Sequence, residues 1–235
     1  MRAELVTREE LTCARTPADL RKWCDEKFKE LKHVSGGREA VNKRIGLCKE
    51  FVEEVYPLSL YAERAYAGRG GVMIEPVLGN QNFDAVITPT SSDDKAQKVE
   101  ITLAHEGENE FLRRLMLVDH GYAPAFGAIQ KSGTKRTGIV VSAEPVAIPV
   151  DSFLPERFRL IQEAFDKKAA KDYEHGTDLV ILFDDIGPFG EPNDQRLLEE
   201  FLNERIAPKI GIFRTVTATS WSGRLFAQVG AATAA

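Results

Sequence analysis

Long apolar runs are missing from this chain. No segment of the 235 residues approaches the eighteen or more apolar positions of a membrane-spanning helix, and Met1-Arg2-Ala3-Glu4-Leu5 has no apolar signal core. Cysteine is scarce: Cys13, Cys24 and Cys48 are odd in number, lie in the first fifth and form no Cys-x-x-Cys pair, which reads as reduced thiols in a cytoplasmic protein. Positive charge is not in surplus. With 31 Lys and Arg against 36 Asp and Glu, the net charge of -5 and pI near 5.5 argue against a generally basic nucleic-acid coat, while leaving room for a local basic groove. Several catalytic signatures are absent as well. Without a Gly-x-x-x-x-Gly-Lys-Ser/Thr loop, Asp184-Asp185 after an apolar run is not the metal-site strand of a nucleotide hydrolase. His105-Glu106 is followed by Asn at 109, so the His-Glu-x-x-His helix of zinc proteases is excluded, and no Gly-x-Ser-x-Gly elbow supports a serine triad. His33, His105, His120 and His175 are scattered.

What remains is an ordinary globular composition, 43% apolar and 29% charged, with no repeat, low-complexity linker or compositional break. It predicts one α/β domain over residues 39–235 behind a helical N-terminal extension, residues 1–38. In the extension, Thr7-Arg8-Glu9-Glu10 has the form of a capping box, and Thr16-Pro17 opens a second helical stretch. Val41, Ile45, Cys48, Val52 and Val55 recur at steps of three and four and predict one amphipathic helix, bending at Pro57. Val72-Met73-Ile74 predicts the first strand of an antiparallel meander. Residues 108–118 have helical spacing with Arg113 and Arg114 as solvated positions, and residues 131–138 predict a basic, glycine-containing loop before the strand Ile139-Val140-Val141. A helix over 153–173, capped by Asp151-Ser152, ends in Lys167, Lys168 and Lys171, as the helix dipole favours. Residues 179–183 are wholly apolar and predict a strand buried on both faces, with helices on each side of the sheet. A last helix from Pro192 stops before Pro208, a hairpin turns at Trp221-Ser222-Gly223, and the tail from Gly230 is loose.

The chain's organising stretch is residues 83–106. Two β-branched segments, separated by Ser91-Ser92-Asp93-Asp94-Lys95, predict a hairpin with Asp84 on one strand and Glu100 on the next. Acidic residues are depleted in strands. Either both face solvent, or they share a hard divalent cation through oxygen ligands.

The order helix, three strands, helix, a later helix ending in lysines, then a buried strand resembles the PD-(D/E)XK phosphodiesterase superfamily over residues 39–183. That resemblance implies a restriction-endonuclease-like fold, a mixed β-sheet core flanked by helices. It also implies magnesium (or manganese) bound by Asp84 and Glu100, hydrolysis of phosphodiester bonds, and nucleic acid as partner, DNA ahead of RNA, with no membrane role and a homodimer left open. Two positions depart from the motif. Phe83 stands in place of the usual Pro, and Thr102 in place of the Lys two residues after Glu100; a hydroxyl lacks the charge that stabilises a phosphate in transit. In similar family members this lysine comes from a neighbouring helix, which makes Lys168 or Lys171 the candidate. Glu63 matches the place of an additional acidic ligand, with Glu53 and Glu54 as weaker choices. The alternative reading is a catalytically inactive nuclease-fold binding or regulatory module, in which Thr102 marks the lost lysine. A third is an unrelated α/β domain whose Asp84 and Glu100 are surface residues.

Overall fold

In the computed structural model, which describes residues 4–90, 95–134, 136–147, 149, 152–185 and 192–230, the apolar run before Asp184 becomes β6 (Thr177–Phe183), buried along its whole length. A strand can be apolar on both faces only when both are covered. On one side β6 runs parallel to β3 (Gln97–Ala104) and on the other parallel to β7 (Phe213–Ser220). Beyond β3, β2 (Ala85–Pro89) and then β1 (Val72–Pro76) pair antiparallel, as the meander requires, and β8 (Phe226–Gly230) returns antiparallel to β7. The result is a mixed six-stranded sheet in the order β1-β2-β3-β6-β7-β8.

Alternation along the strands divides the apolar side chains between two cores. Val99, Ile101, Val180 and Leu182 pack against Leu20, Phe51, Val52 and Leu58, from α2 (Pro17–His33) and the helical stretch that ends in α5 (Tyr56–Ala65). Ala104, Leu179, Ile181 and Phe183 pack against α7 (Phe153–Ala169) and α8 (Pro192–Phe201), through Leu160, Ile161, Phe165 and Leu198. Helices therefore cover both faces of the sheet. The N-terminal residues join the first core: Leu11 of α1 (Arg8–Thr12) is fully buried, and Thr7 completes the capping box, donating to Glu10 Oε2 at 2.8 Å and accepting from the Glu10 N–H at 3.2 Å. Arg15 then forms a two-bond bridge with Ile74 on the outer edge of β1, at 2.8 and 2.9 Å.

The sequence and the structure part company in several places. The stripe from Val41 to Val55 is not one helix: α3 (Gly37–Lys43) stops at Arg44, whose φ of 54° is left-handed, and Ile45 is exposed. Helix resumes as α4 (Cys48–Glu50), widens into a π turn (Phe51–Val55) and continues as α5. Pro57 follows directly; it has no N–H and crowds the carbonyl of residue 53, a demand that the widened turn accommodates. After α6 (Glu108–His120), the expected strand at 139–141 is present as β5 (Gly138–Ala143), but most of the expected basic loop before it is a strand too, β4 (Ile129–Thr134), and the two form a separate two-stranded sheet. α7 ends at Ala169, short of Tyr173, and the last helix passes through Pro208 as a π turn (Leu202–Ile206) and a 3-10 turn (Ala207–Lys209). The turn at 91–94, Lys135, the Asp151 cap and the tail beyond Gly230 lie outside the described residues. Among the described residues no helix is long and apolar enough to cross a membrane.

Two acidic residues serve the frame. Asp178, fully buried at the start of β6, accepts from Arg214 Nε at 2.9 Å, Thr215 Oγ1 at 2.8 Å and Tyr61 OH at 3.2 Å. Asp185 accepts from the Ser222 N–H at 3.2 Å and pins the β7–β8 turn, a structural role in place of the nucleotide-hydrolase role already excluded.

Candidate functional site

Ala85 pairs with Val99 across the β2–β3 ladder, so Asp84, just before β2, comes beside Glu100. Val99 and Ile101 enter the first core, hence Glu100 between them points to the opposite face, toward α7. Asp84 alternates with the core-facing Ala85 and shares that face. Its backbone is fixed in the sheet, with its N–H on the Val99 carbonyl and its carbonyl accepting from the Val77 N–H, both at 2.8 Å; its Oδ2 accepts from the Ile101 N–H at 2.7 Å. Neither carboxylate is a solvated surface group: Glu100 is only 6% exposed. That removes the reading in which both are surface residues.

A cation meets the pair. Lys168, in the last turn of α7, ion-pairs with Glu100 Oε1, and the Tyr173 hydroxyl donates to the same oxygen at 3.0 Å. Lys171 lies beyond the end of the helix, and its charge, like that of Lys168, favours the ionised form of Asp84. Burial and then the Glu100 charge outweigh these effects and hold the Asp84 carboxyl up at about 6. Glu54, in the π turn, is pushed up to about 7 by burial, then by Asp84 and by Glu50. The Tyr173 hydroxyl is likewise raised, by burial and then by Glu100.

The remaining expected residues divide. Thr102, half-buried one alternation along β3 from Glu100, lines a cleft against α7 together with Lys167. Glu63 does not join the group: it stands 3.7 Å from Arg21 on the far stretch of α5, and Glu54 takes the place beside Asp84. Glu53 turns to Arg44 at 3.3 Å. His105 Nδ1 accepts from the Gly107 N–H at 2.8 Å, which makes it a loop brace before α6; the partial loss of solvation there shifts its pKa down. Arg113 and Arg114 are not solvated helix residues, with side chains 11% and 15% exposed. Tyr173 carried no signal in the sequence beyond its place at the end of a helix.

Among the described residues no three His, Cys, Asp or Glu side chains gather closely enough to hold an ion by themselves. Magnesium does not need three, since it is commonly held by one or two carboxylates, water and substrate phosphate. The donors present fit such an ion: Asp84 and Glu100 are adjacent, Glu54 and Asp84 crowd each other's charge, and Glu50 Oε2 is buried with no hydrogen-bond partner.

Fold and site together define an α/β protein with a mixed six-stranded sheet flanked by helices, carrying on two antiparallel strands an adjacent acidic pair of which Glu100 is ion-paired to Lys168. Comparison of the chain with protein-family models, curated proteins and solved structures gives no match.

Proposed function

We propose that the protein is a metal-dependent nuclease of restriction-endonuclease-like fold, hydrolysing phosphodiester bonds of DNA or RNA at Asp84 and Glu100. The observation that carries the reading is the Lys168 ion pair with Glu100: the cation that Thr102 cannot supply arrives from α7 on the carboxylate next to Asp84. The element order supports it as well, with a helical stretch leading to three antiparallel strands and α7 leading to a strand parallel to the third.

In this reading Asp84 and Glu100 hold magnesium or manganese, with Glu54 near enough to share in binding. The ion, when bound, lowers the pKa of a water and offsets charge on the scissile phosphate. Lys168 places a positive charge where negative charge grows on the phosphate oxygens. Tyr173 fixes the Glu100 carboxylate by donating to one of its oxygens, leaving the other available. Lys171 adds a second positive charge near Asp84 and suits an incoming polyanion.

Cleavage of single- and double-stranded DNA and of RNA with magnesium or manganese tests the reading. Wild type should cut at least one of them, and Asp84→Asn, Glu100→Gln and Lys168→Met should each lose about 100-fold or more in rate. Equal rates in all four proteins would remove the nuclease claim. Binding without cleavage in all four would leave the inactive binding module.

A further inference from the structure

A second polar cluster lies at the other end of β3 from Glu100 and takes no part in that chemistry. Open α/β sheets present ligand crevices beyond the carboxyl ends of their parallel strands. Here the ends of β3 and β6 open into a cavity of about 330 Å³, walled by Leu103, Leu182, Phe183 and Trp221. Arginines from three separate parts of the fold reach it: Arg44 after α3, Arg113 and Arg114 on α6, and Arg157 on α7.

Arg113 is fully engaged, with Glu106 at 2.6 Å and the carbonyls of Pro124 and Gly127 at 3.2 Å. Arg44 is held as well, its Nη1 donating to the Val41 carbonyl at 2.8 Å and its Nε 3.3 Å from Glu53. Arg114 and Arg157 are less fully engaged: Nε of each is buried without a hydrogen-bond partner, and Arg157 is only 8% exposed. Glu110 at 3.7 Å and Asp184 at 3.6 Å, which line the same cavity, reach them only at the long end of ion-pair range. Arg44 is also the only non-glycine residue with positive φ among the described residues, at the C-terminal end of α3, where its guanidinium bonds back to the Val41 carbonyl and forms part of the cavity wall. Burial, and then the Arg114 charge, pushes its pKa down to about 10.

Buried donors are nearly always paired, so an anion reaching Arg114 and Arg157 more closely than Glu110 and Asp184 do would complete this arrangement. Two guanidinium groups offer more donors than the two oxygens of a carboxylate take up and suit the three free oxygens of a phosphomonoester. The apolar remainder of the wall, with its indole, suits a flat organic group, and the volume falls within the small end of ligand sites. We propose that this cavity binds an organic phosphomonoester of nucleotide size, its phosphate held by Arg114 and Arg157. The phosphate could belong to a free small molecule or to the end of a nucleic-acid strand. Binding here needs neither Asp84 nor Glu100.

Isothermal titration of the whole protein with AMP, adenosine and inorganic phosphate is the test. AMP should bind, adenosine should bind at least about tenfold more weakly, and Arg114→Gln and Arg157→Gln should each weaken AMP by about tenfold or more. Should the deeply buried Arg157 variant fail to fold, the more exposed Arg114 variant still gives the reading. A 5′-phosphorylated oligonucleotide that displaces AMP where its 5′-hydroxyl twin does not identifies a strand end; displacement by neither identifies a free ligand. Absence of AMP and phosphate binding to wild type at millimolar concentration overturns the proposal. So does unchanged AMP affinity in folded Arg114→Gln.

Discussion

Asp84 and Glu54 hold protons in the folded chain at pH values where the unfolded chain has released them, because their carboxyls are raised from 3.8 to about 6 and from 4.5 to about 7. The folded state binds more protons than the unfolded state in those windows, so both groups erode stability as pH rises through them and cost nothing below pH 3.8. Asp84→Asn keeps an acceptor for the Ile101 N–H and removes the charge. It should therefore be more stable than wild type at pH 8, by on the order of 2–3 kcal/mol, with the difference vanishing at pH 3.5, as read from thermal unfolding against pH. Magnesium should do the same to wild type, raising Tm at pH 8 more than at pH 5, where protons already relieve the crowding. The nearness of Asp84 and Glu100 was legible in the sequence because acids on the adjacent strands of a hairpin come side by side, whereas nothing in it told which of Lys168 and Lys171 meets Glu100. Glu54 was hidden. Choosing it over Glu63 required knowing how the helix turns before α5, and no periodicity of apolar residues reports that.

At the scale of elements, β6 was readable because an unbroken apolar run of strand length has only one comfortable place, the middle of a covered sheet. The helices before the first strand were less so, since apolar spacing cannot distinguish one helix from two that share a core. Phe51 and Ile45 separate these cases. Phe51 is fully buried against the rings of Trp23 and Phe28, at 5.5 and 4.8 Å, whereas Ile45 sits in the break after Arg44. Phe51→Ala should cost about 3–5 kcal/mol in urea unfolding, and Ile45→Ala about 0.5 kcal/mol or less. A comparable loss at both positions would restore the single-helix reading. The arginine-lined cavity was illegible for a related reason: Arg44, Arg114 and Arg157 lie on three elements far apart in sequence, and their convergence depends on how α3, α6 and α7 are set against the sheet.

For the whole molecule, the three cysteines make the assembled core measurable. Cys13 is exposed, while Cys24 is buried with its thiol pushed up to about 12, and Cys48 is buried and raised by the same cause. A thiol reagent at pH 8 should titrate one cysteine in the native protein and three after denaturation, the two slow ones reporting the opening of the first core. Arg15 carries a consequence of another kind. Its two backbone bonds to Ile74 occupy hydrogen-bonding groups that β1 would otherwise offer along its outer side. A chain shortened past residue 16 would leave a bare template for strand addition, so its first symptom should be polymerisation into higher-order species, visible as rising light scattering at concentrations where the full chain stays clear.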